Sequence, residues 1–342
     1  MADFYTIGKT DISDLYSMIR SNHARELDER KDRIFAEIPE VAEIELKIAE
    51  VNSALLRKLV TARNATKEHT DELKRERKAA IEKLSARKTA LLKEHGYSPE
   101  DLELQYDCPI CRDNGVIDGR RCECYNRHML KHLYQQSSLE NVLERENFQT
   151  LSLDYYTKDK TDPERPSPYE NMQRIVEKAK EYTKHCREVH TSFLFYGESG
   201  VGKSFLSNCI AKELMDQGLS VLYLTANELF QQILSPYLMS PDAGTKATLQ
   251  PVFDLIYHAD LLVLDDLGTE LTNSFILSQL FEIINRRMLD GRSTIISTNL
   301  SLRQMQERYN DRIVSRIIEH YELCPIYGKN IRSMKWMGKQ EN

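Results

Sequence analysis

The residues best suited to chemistry form a glycine-rich stretch in the middle of the 342-residue chain. The stretch consists of Gly197, Glu198, Ser199, Gly200, Val201, Gly202, Lys203 and Ser204, with Phe205 directly after it. It fills every fixed position of the phosphate-binding pattern G-x-x-x-x-G-K-[ST], in which backbone N–H groups curl around phosphate oxygens. Lys203 would reach the β- and γ-phosphates, and Ser204 would hold Mg²⁺. The stretch therefore predicts a binding site for a nucleoside triphosphate.

The flanking residues suit such a loop. Ser192–Tyr196 is a short apolar run typical of a strand, and Phe205–Leu214 has the pattern of an amphipathic helix. A glycine-containing turn that matches the pattern by chance would lack this order of strand, loop and helix.

Two carboxylates follow a second apolar run, Leu261–Leu264, which suits a central parallel strand. Asp265 is placed to bind the Mg²⁺ shell, and Asp266 to orient or deprotonate the attacking water. Adjacent side chains on a strand point to opposite faces, so the two residues are given different roles. Asn299, at the end of a third strand, is the candidate to hydrogen-bond the γ-phosphate or the water.

Four of the seven cysteines lie close together in the pattern C-x₂-C-x₁₀-C-x-C; they are Cys108, Cys111, Cys122 and Cys124. In a reducing cytosol, clustered cysteines more often bind a metal than form disulfides, and four thiolates favour a tetrahedral, structural Zn²⁺ site. Asn114-Gly115 and Asp118-Gly119 supply turns between the two pairs. The tight C-x-C half leaves a labile or redox-active site open as an alternative, and His128 is near enough to be a substitute ligand.

Residues 11–95 contain no glycine and one proline, Pro39, and they are rich in Lys, Arg, Glu and Ala. Their apolar residues recur every three or four positions, as in Val41, Ile44, Ile48, Val51, Leu55 and Leu59. This spacing predicts two long amphipathic helices folded into an antiparallel, coiled-coil-like hairpin that bends near residues 64–70.

The whole chain is predicted to have four regions: a helical partner-binding region (1–97), a Cys₄ zinc module (98–130), a linker (131–168) and an ATPase domain (169–342). Alternating helices and strands in the last region predict an α/β fold, a three-layer αβα sandwich with a mostly parallel sheet. The net charge of -6 does not indicate nucleic-acid binding by the chain as a whole. We find neither a long apolar run nor a signal-peptide pattern, which predicts a cytoplasmic protein without membrane contact.

These motifs carry a family resemblance. The segments FYGESGVGKSFL, LLVLDDLG, INRRMLDGRSTIISTNLS and YNDRIVSRI resemble the AAA+ ATPase core of the bacterial helicase loaders of the DnaC and DnaI type, and the related IstB transposition ATPases. The resemblance covers about residues 145–337. The cysteine module behind charged helices is similar to the longer, zinc-bearing DnaC-like loaders of bacteria and phages.

The resemblance implies ATP as the nucleotide and adds roles for particular residues. Asn299 matches the first sensor, and Arg332 falls near the second. Arg316 matches the arginine finger, with Arg312 one helical turn earlier. A finger acts on nucleotide bound by a neighbouring subunit, which implies an ATP-dependent head-to-tail homo-oligomer. Asp266 replaces the glutamate usual in the wider superfamily, so we expect slow ATP turnover by the protein alone.

Two functions follow from the resemblance. In the first, the protein is an ATPase that binds the hexameric replicative DNA helicase and delivers it to single-stranded DNA. In the second, it is an IstB-like transposition adaptor that uses ATP as an assembly switch. The additional N-terminal module favours the loader, because it suggests a dedicated protein partner. Candidate DNA contacts are Lys246, Arg286, Arg287 and Arg303.

Overall fold

A computed structural model describes residues 9–61, 67–136, 139–160 and 162–338 of the chain. The chain divides into two compact units, one of which covers Ser13–Ile117; the other contains the residues from Asp118 onward together with the first twelve. Within the described ranges, no helix is both long enough and apolar enough to cross a membrane.

Helices dominate the first unit. They are α1 (Lys9–Glu37), α2 (Pro39–Thr61) and α3 (Lys67–Glu94). Val41, near the start of α2, shares an apolar core with Leu92, near the end of α3, so the two helices run antiparallel. Ion pairs between Arg87 and Glu40 and between Lys88 and Glu45 flank this core. The predicted hairpin is confirmed. Residues 62–66, which include the first three residues of the predicted bend, lie outside the described residues, and the rest of that bend, residues 67–70, belongs to α3.

The helical region contains three helices where the sequence pattern predicts two. Ile38 separates α1 from α2, because Pro39 has no N–H with which to continue the hydrogen bonds of α1. Proline is instead favoured at the first position of a new helix. Ile34 and Ile38 lie in the same apolar core as α2 and α3, so the end of α1 packs with the hairpin.

A short hairpin lies within the cysteine-rich segment. Strands β1 (Val116–Ile117) and β2 (Arg120–Arg121) pair across Asp118 and Gly119. These two residues have φ angles of 48° and 76°, the left-handed conformations that a tight two-residue hairpin turn requires. The turn predicted at Asp118-Gly119 is confirmed. Helix α4 (Glu123–Gln136) begins directly after this hairpin.

A five-stranded parallel sheet forms the centre of the second unit. Its strands are β3 (Ser192–Tyr196), β4 (Val221–Thr225), β5 (Leu261–Leu267), β6 (Ser293–Thr298) and β7 (Tyr321–Pro325). They lie in the order β4-β5-β6-β3-β7, and each neighbouring pair is parallel. The residues that follow β3, β5 and β6 therefore meet at one edge of the sheet, where ligands bind in folds of this type.

The strand β7 is absent from the sequence-based prediction. Among the described strands it pairs only with β3, and it forms one border of the sheet. Pro325 at its end is tolerated there, because a border strand does not need every N–H for pairing.

Helices cover both faces of the sheet. They are α5 (Leu139–Arg145), α6 (Pro168–His185), α7 (Lys203–Asp216), α8 (Ser235–Met239), α9 (Ala243–His258), α10 (Ser274–Leu289), α11 (Leu302–Tyr309), α12 (Asp311–His320) and α13 (Ile331–Gly338). On one face, Phe193 of β3 packs edge-on against Tyr182 of α6, with ring centroids 5.4 Å apart. Leu194 and Ile296, which point to the other face, are also fully buried. The predicted αβα sandwich is confirmed.

Candidate nucleotide-binding site

The glycine-rich loop joins β3 to α7, and its three glycines all have positive φ angles. These are 146° at Gly197, 80° at Gly200 and 103° at Gly202. Space is equally restrictive, since a Cβ on Gly197 would lie 1.9 Å from the carbonyl oxygen of Ile326. A Cβ on Gly202 would lie 2.4 Å from the hydroxyl of Tyr156. Glycine is therefore required here for both backbone conformation and close packing.

Lys203, the first residue of α7, has its ammonium group inside the loop. Nζ donates to the carbonyl oxygens of Gly197 (2.8 Å) and Glu198 (2.6 Å) and to Oδ1 of Asn299 (2.7 Å). Burial lowers the pKa of this ammonium, and the negative charges of Asp266 and Asp265 oppose that effect. An ammonium group has three protons, so a phosphate oxygen would have to share or replace one of these acceptors.

Asp265 accepts hydrogen bonds on both of its carboxylate oxygens. Ser204 Oγ donates to Oδ1 at 3.1 Å, and the Ser297 hydroxyl donates to the same oxygen. The hydroxyl of Tyr223 donates to Oδ2 at 2.9 Å, and burial raises the pKa of this tyrosine well above its usual value. The contact between Ser204 and Asp265 joins the two residues predicted to bind Mg²⁺.

Asp266 leaves the regular strand geometry. The pairing of β5 with β6 shifts register between Leu264 and Leu267, and the φ of Asp266 is 53°, which is uncommon outside glycine. As a result the Asp266 side chain lines the same cleft as Lys203 and Ser204. Burial, and then the charge of Asp265, raise the pKa of Asp266, whereas Lys203 and Arg332 act to lower it.

The cleft beside the loop has a volume of about 280 Å³ and contains most of the sequence-predicted site residues. Its lining includes Ser199, Gly200, Gly202, Lys203, Ser204, Phe205, Asp266, Asn299 and Arg332. Arg332 belongs to α13, whose first N–H, that of Ile331, donates to the carbonyl oxygen of Gly200 at 2.9 Å. Residues from the end of the chain are thereby held against the loop.

One wall of the cleft comes from the segment that the sequence analysis treats as a linker. Leu151, Tyr155 and Tyr156 line it together with Met172 and Ile331. The Tyr156 hydroxyl donates to the carbonyl oxygen of Val201 at 2.7 Å, which fixes this wall to the loop. Sequence reasoning missed these residues, although their aromatic and apolar character within a polar segment is a signal that could have identified them.

Arg312 and Arg316 do not line this cleft. Both lie on α12, and their guanidinium carbons are 4.1 Å and 5.1 Å from the ring centroid of Phe281 on α10. The structure therefore brings together the loop, Asp265, Asp266, Asn299 and Arg332, and it leaves Arg316 outside the group.

The four clustered cysteines are all buried, and their sulfur atoms lie within 4.8 Å of one another. Asp113 supports the first pair, since its carboxylate accepts from the Cys108 N–H at 2.8 Å. Within the described part of the chain, this metal-compatible group contains cysteines alone, and His128 is not a member. Four thiolates at this spacing fit a single tetrahedral metal ion.

The candidate DNA contacts differ sharply in exposure. Arg287 is fully buried and donates to Thr294 Oγ1 and to the carbonyl oxygens of Ile256, Ala259 and Ser293. The prediction is therefore wrong for Arg287, because a buried guanidinium that binds backbone carbonyls serves packing. Its neighbour Arg286 and the other two candidates, Lys246 and Arg303, are exposed.

The nucleotide-binding part of the chain is similar to known proteins. Residues 172–337 match the family described as "IstB-like ATP binding protein". The replicative helicase loader DnaC of Buchnera aphidicola subsp. Baizongia pistaciae is 27% identical over 149 residues, 44% of this chain and 59% of that protein. The alignment thus spans less than two thirds of that relative.

Two further similar proteins are a curated relative and a solved structure. DnaC of Escherichia coli K12 is 26% identical over 171 residues, 50% of this chain and 68% of that protein. A crystal structure of the DnaC helicase loader, 22% identical, superposes on 54% of this chain and 99% of that one with a TM-score of 0.42. The resemblance to replicative helicase loaders of the DnaC type and to IstB-like ATP-binding proteins is confirmed.

Proposed function

We propose that this chain, whose residues 172–337 form an IstB-like ATP-binding domain related to DnaC, is an ATP-dependent loader of the replicative DNA helicase. It binds the hexameric helicase and delivers it to single-stranded DNA at replication initiation or restart. ATP binding and hydrolysis control assembly and release. The observation that carries the proposal is that the chain with a DnaC-related ATP site also contains a separate helical unit. Such a protein would act in the bacterial cytoplasm.

Different residues of the site bind the phosphates and the metal ion. Backbone N–H groups of the loop and the Lys203 ammonium bind the phosphate oxygens, while Ser204 and Asp265 would hold Mg²⁺. When bound, the ion neutralises charge on the β- and γ-phosphates. The apolar wall containing Leu151 and Tyr155 is suited to the nucleotide base.

Asp266 and Asn299 serve the hydrolytic step. Asp266 lines the cleft and accepts the proton of the attacking water or orients it, and its raised pKa favours proton uptake. Asn299, whose Oδ1 accepts from Lys203, reaches the γ-phosphate or the water. Arg332 contributes positive charge to the same cleft. The aspartate side chain is one methylene shorter than glutamate, so turnover by the lone protein is slow.

Arg316 acts on the nucleotide of a neighbouring subunit. It lies outside its own cleft, so an arginine finger at this position requires a head-to-tail homo-oligomer. The ATP-bound state then favours assembly, and hydrolysis favours release.

The N-terminal regions bind the helicase. We propose residues 1–97 as the coiled-coil-like partner-binding region, 98–130 as the zinc module, 131–168 as the connection and 169–342 as the AAA+ domain. The four cysteines would hold Zn²⁺, which would stabilise the module. The His23 ring of α1 lies 3.1 Å from Asp113, and Arg20 donates to the carbonyl oxygen of Asp113 at 2.8 Å. Asp113 also accepts a hydrogen bond from the Cys108 N–H. A metal bound by the cysteines would therefore stabilise the loop around Asp113, which α1 contacts.

An IstB-like transposition adaptor is the alternative function, because the matched family is described as "IstB-like ATP binding protein". In that case ATP controls assembly with DNA, and the helicase is not a partner. A helicase-binding measurement separates the two functions.

We expect the purified protein to form a stable complex with the replicative helicase of the same organism when ATP and zinc are present. Native mass measurement should show a helicase hexamer carrying additional copies of this chain. The Lys203→Ala variant, mixed in the same way, tests whether the complex depends on nucleotide. A helicase hexamer that carries no copy under any of these conditions would exclude the loader function and favour the adaptor.

The zinc content of the protein is expected to depend on the four clustered cysteines. Elemental analysis should give one zinc per chain in the wild type and almost none in the Cys122→Ser, Cys124→Ser double variant. Cys108→Ser should loosen the N-terminal module while the ATPase domain stays folded. Cys186→Ser is the matched control, because Cys186 is buried outside the cluster and its loss should leave the zinc content unchanged. Equal zinc in the double variant and the wild type would contradict the assignment.

A further inference from the structure

Arg312 and Arg316 differ from the arginines near them because neither has an anionic partner among the residues that the structure describes. Between α10 and α12, the other arginines are engaged by carboxylates or, for Arg287, by backbone and hydroxyl oxygens. The carboxylate pairs are Arg286 with Asp290, Arg292 with Asp260, Arg303 with Glu307 and Arg308 with Glu270. Within the described part of the chain, the guanidinium groups of Arg312 and Arg316 both contact the ring of Phe281.

The Phe281 ring offsets the electrostatic repulsion between Arg312 and Arg316. Arg312 and Arg316 are four residues apart on one helix, so their like charges repel each other. The negative face of an aromatic ring attracts cations, and both guanidinium carbons lie within about 6 Å of the Phe281 centroid, the range of a cation–π contact. Phe281 is half-buried on α10. A contact of this kind orients a guanidinium group and leaves its N–H donors available for an anion.

We infer that Phe281 is a positioning residue for a pair of trans-acting arginines, Arg312 and Arg316, that together contact the polyphosphate of ATP in an adjacent copy of this chain. The inference rests on the proposed trans role of Arg316 and adds two residues to it. Two guanidinium groups held over one ring can donate N–H groups to the same polyphosphate, and the ring orients them before the neighbour arrives. Phe281 itself does not touch the nucleotide.

The test compares Phe281→Leu with Phe281→Tyr. Leucine keeps the apolar packing and removes the ring, whereas tyrosine keeps the ring. In the assembled protein, Phe281→Leu should lower kcat for ATP hydrolysis about fivefold to tenfold, with KM and the ATP affinity of the isolated subunit changed less than about twofold. Phe281→Tyr should restore kcat to within about twofold of the wild-type value. Thermal unfolding shows that each variant is folded.

A double-mutant cycle shows whether Phe281 acts through the arginines. When both Arg312 and Arg316 are alanine, Phe281→Leu should have no further effect on kcat. An equal kcat decrease with or without the arginines would overturn the inference, as would a Phe281→Leu protein as active as the wild type. A loss of single-stranded DNA affinity at unchanged kcat would overturn it too, because the pair would then bind DNA phosphates. If the wild type neither assembles nor hydrolyses ATP, the proposed function itself fails, which is a distinguishable result.

Discussion

Replacing Lys203 with alanine is expected to weaken ATP binding by about a hundredfold or more, equivalent to about 3 kcal/mol. Lys203 is buried at the base of the cleft, and its ammonium group is the cation nearest the loop carbonyls. Alanine removes the charge that would balance the β- and γ-phosphates and leaves those carbonyls without a donor. Equilibrium binding of a fluorescent ATP analogue measures the effect.

Asp266→Asn provides the contrast to this variant. Asparagine keeps the size of the side chain but cannot accept a proton, so ATP binding should persist while turnover falls about a hundredfold or more. Lys203→Arg is the matched control for Lys203→Ala, since it retains the positive charge and changes the shape of the donor group. Tight ATP binding by Lys203→Ala would contradict the role of this lysine, and normal hydrolysis by Asp266→Asn would remove the role given to Asp266.

Replacing Arg316 with alanine is expected to leave the ATP affinity of the isolated subunit nearly unchanged and to reduce turnover by the assembled protein about a thousandfold or more. The ATP affinity should persist because Arg316 does not line the nucleotide cleft of its own subunit and lies instead over the Phe281 ring. The ATP-dependent oligomer should weaken as well, since the finger contributes to contact between neighbours. Turnover and native mass are measured on the same samples.

Mixing two inactive variants tests the trans arrangement directly. A Lys203→Ala subunit still offers an intact Arg316, and an Arg316→Ala subunit still offers an intact loop, so mixed oligomers contain some complete sites. Partial recovery of ATP hydrolysis is expected in the mixture. Arg316→Lys is the control that retains charge without the planar fork. If the mixture stays inactive while the wild type is demonstrably oligomeric, the trans assignment of Arg316 fails.

Local sequence was sufficient to predict the loop and the metal-compatible cluster. The glycines at 197, 200 and 202 are needed for the loop's own backbone conformation, so the pattern carries its structure within a few residues. The same holds for the cysteines, which lie within seventeen residues and are brought together by short turns. The strand Ser192–Tyr196 was also predictable, because a continuous apolar run suits a strand buried on both faces.

Contacts between distant parts of the chain decided the rest. A register shift against β6 places Asp266 in the cleft with Lys203, whereas simple alternation along a strand directs it away from Asp265. Tyr156 completes the cleft through a bond to Val201, and β7 is a strand only because β3 offers a border to pair with. Sequence patterns record what a segment needs locally, such as a glycine conformation or an apolar face. The partner that a side chain meets depends on how elements far apart in the chain pack together, and for Arg287, Phe281 and the cleft wall only the tertiary structure supplied that partner.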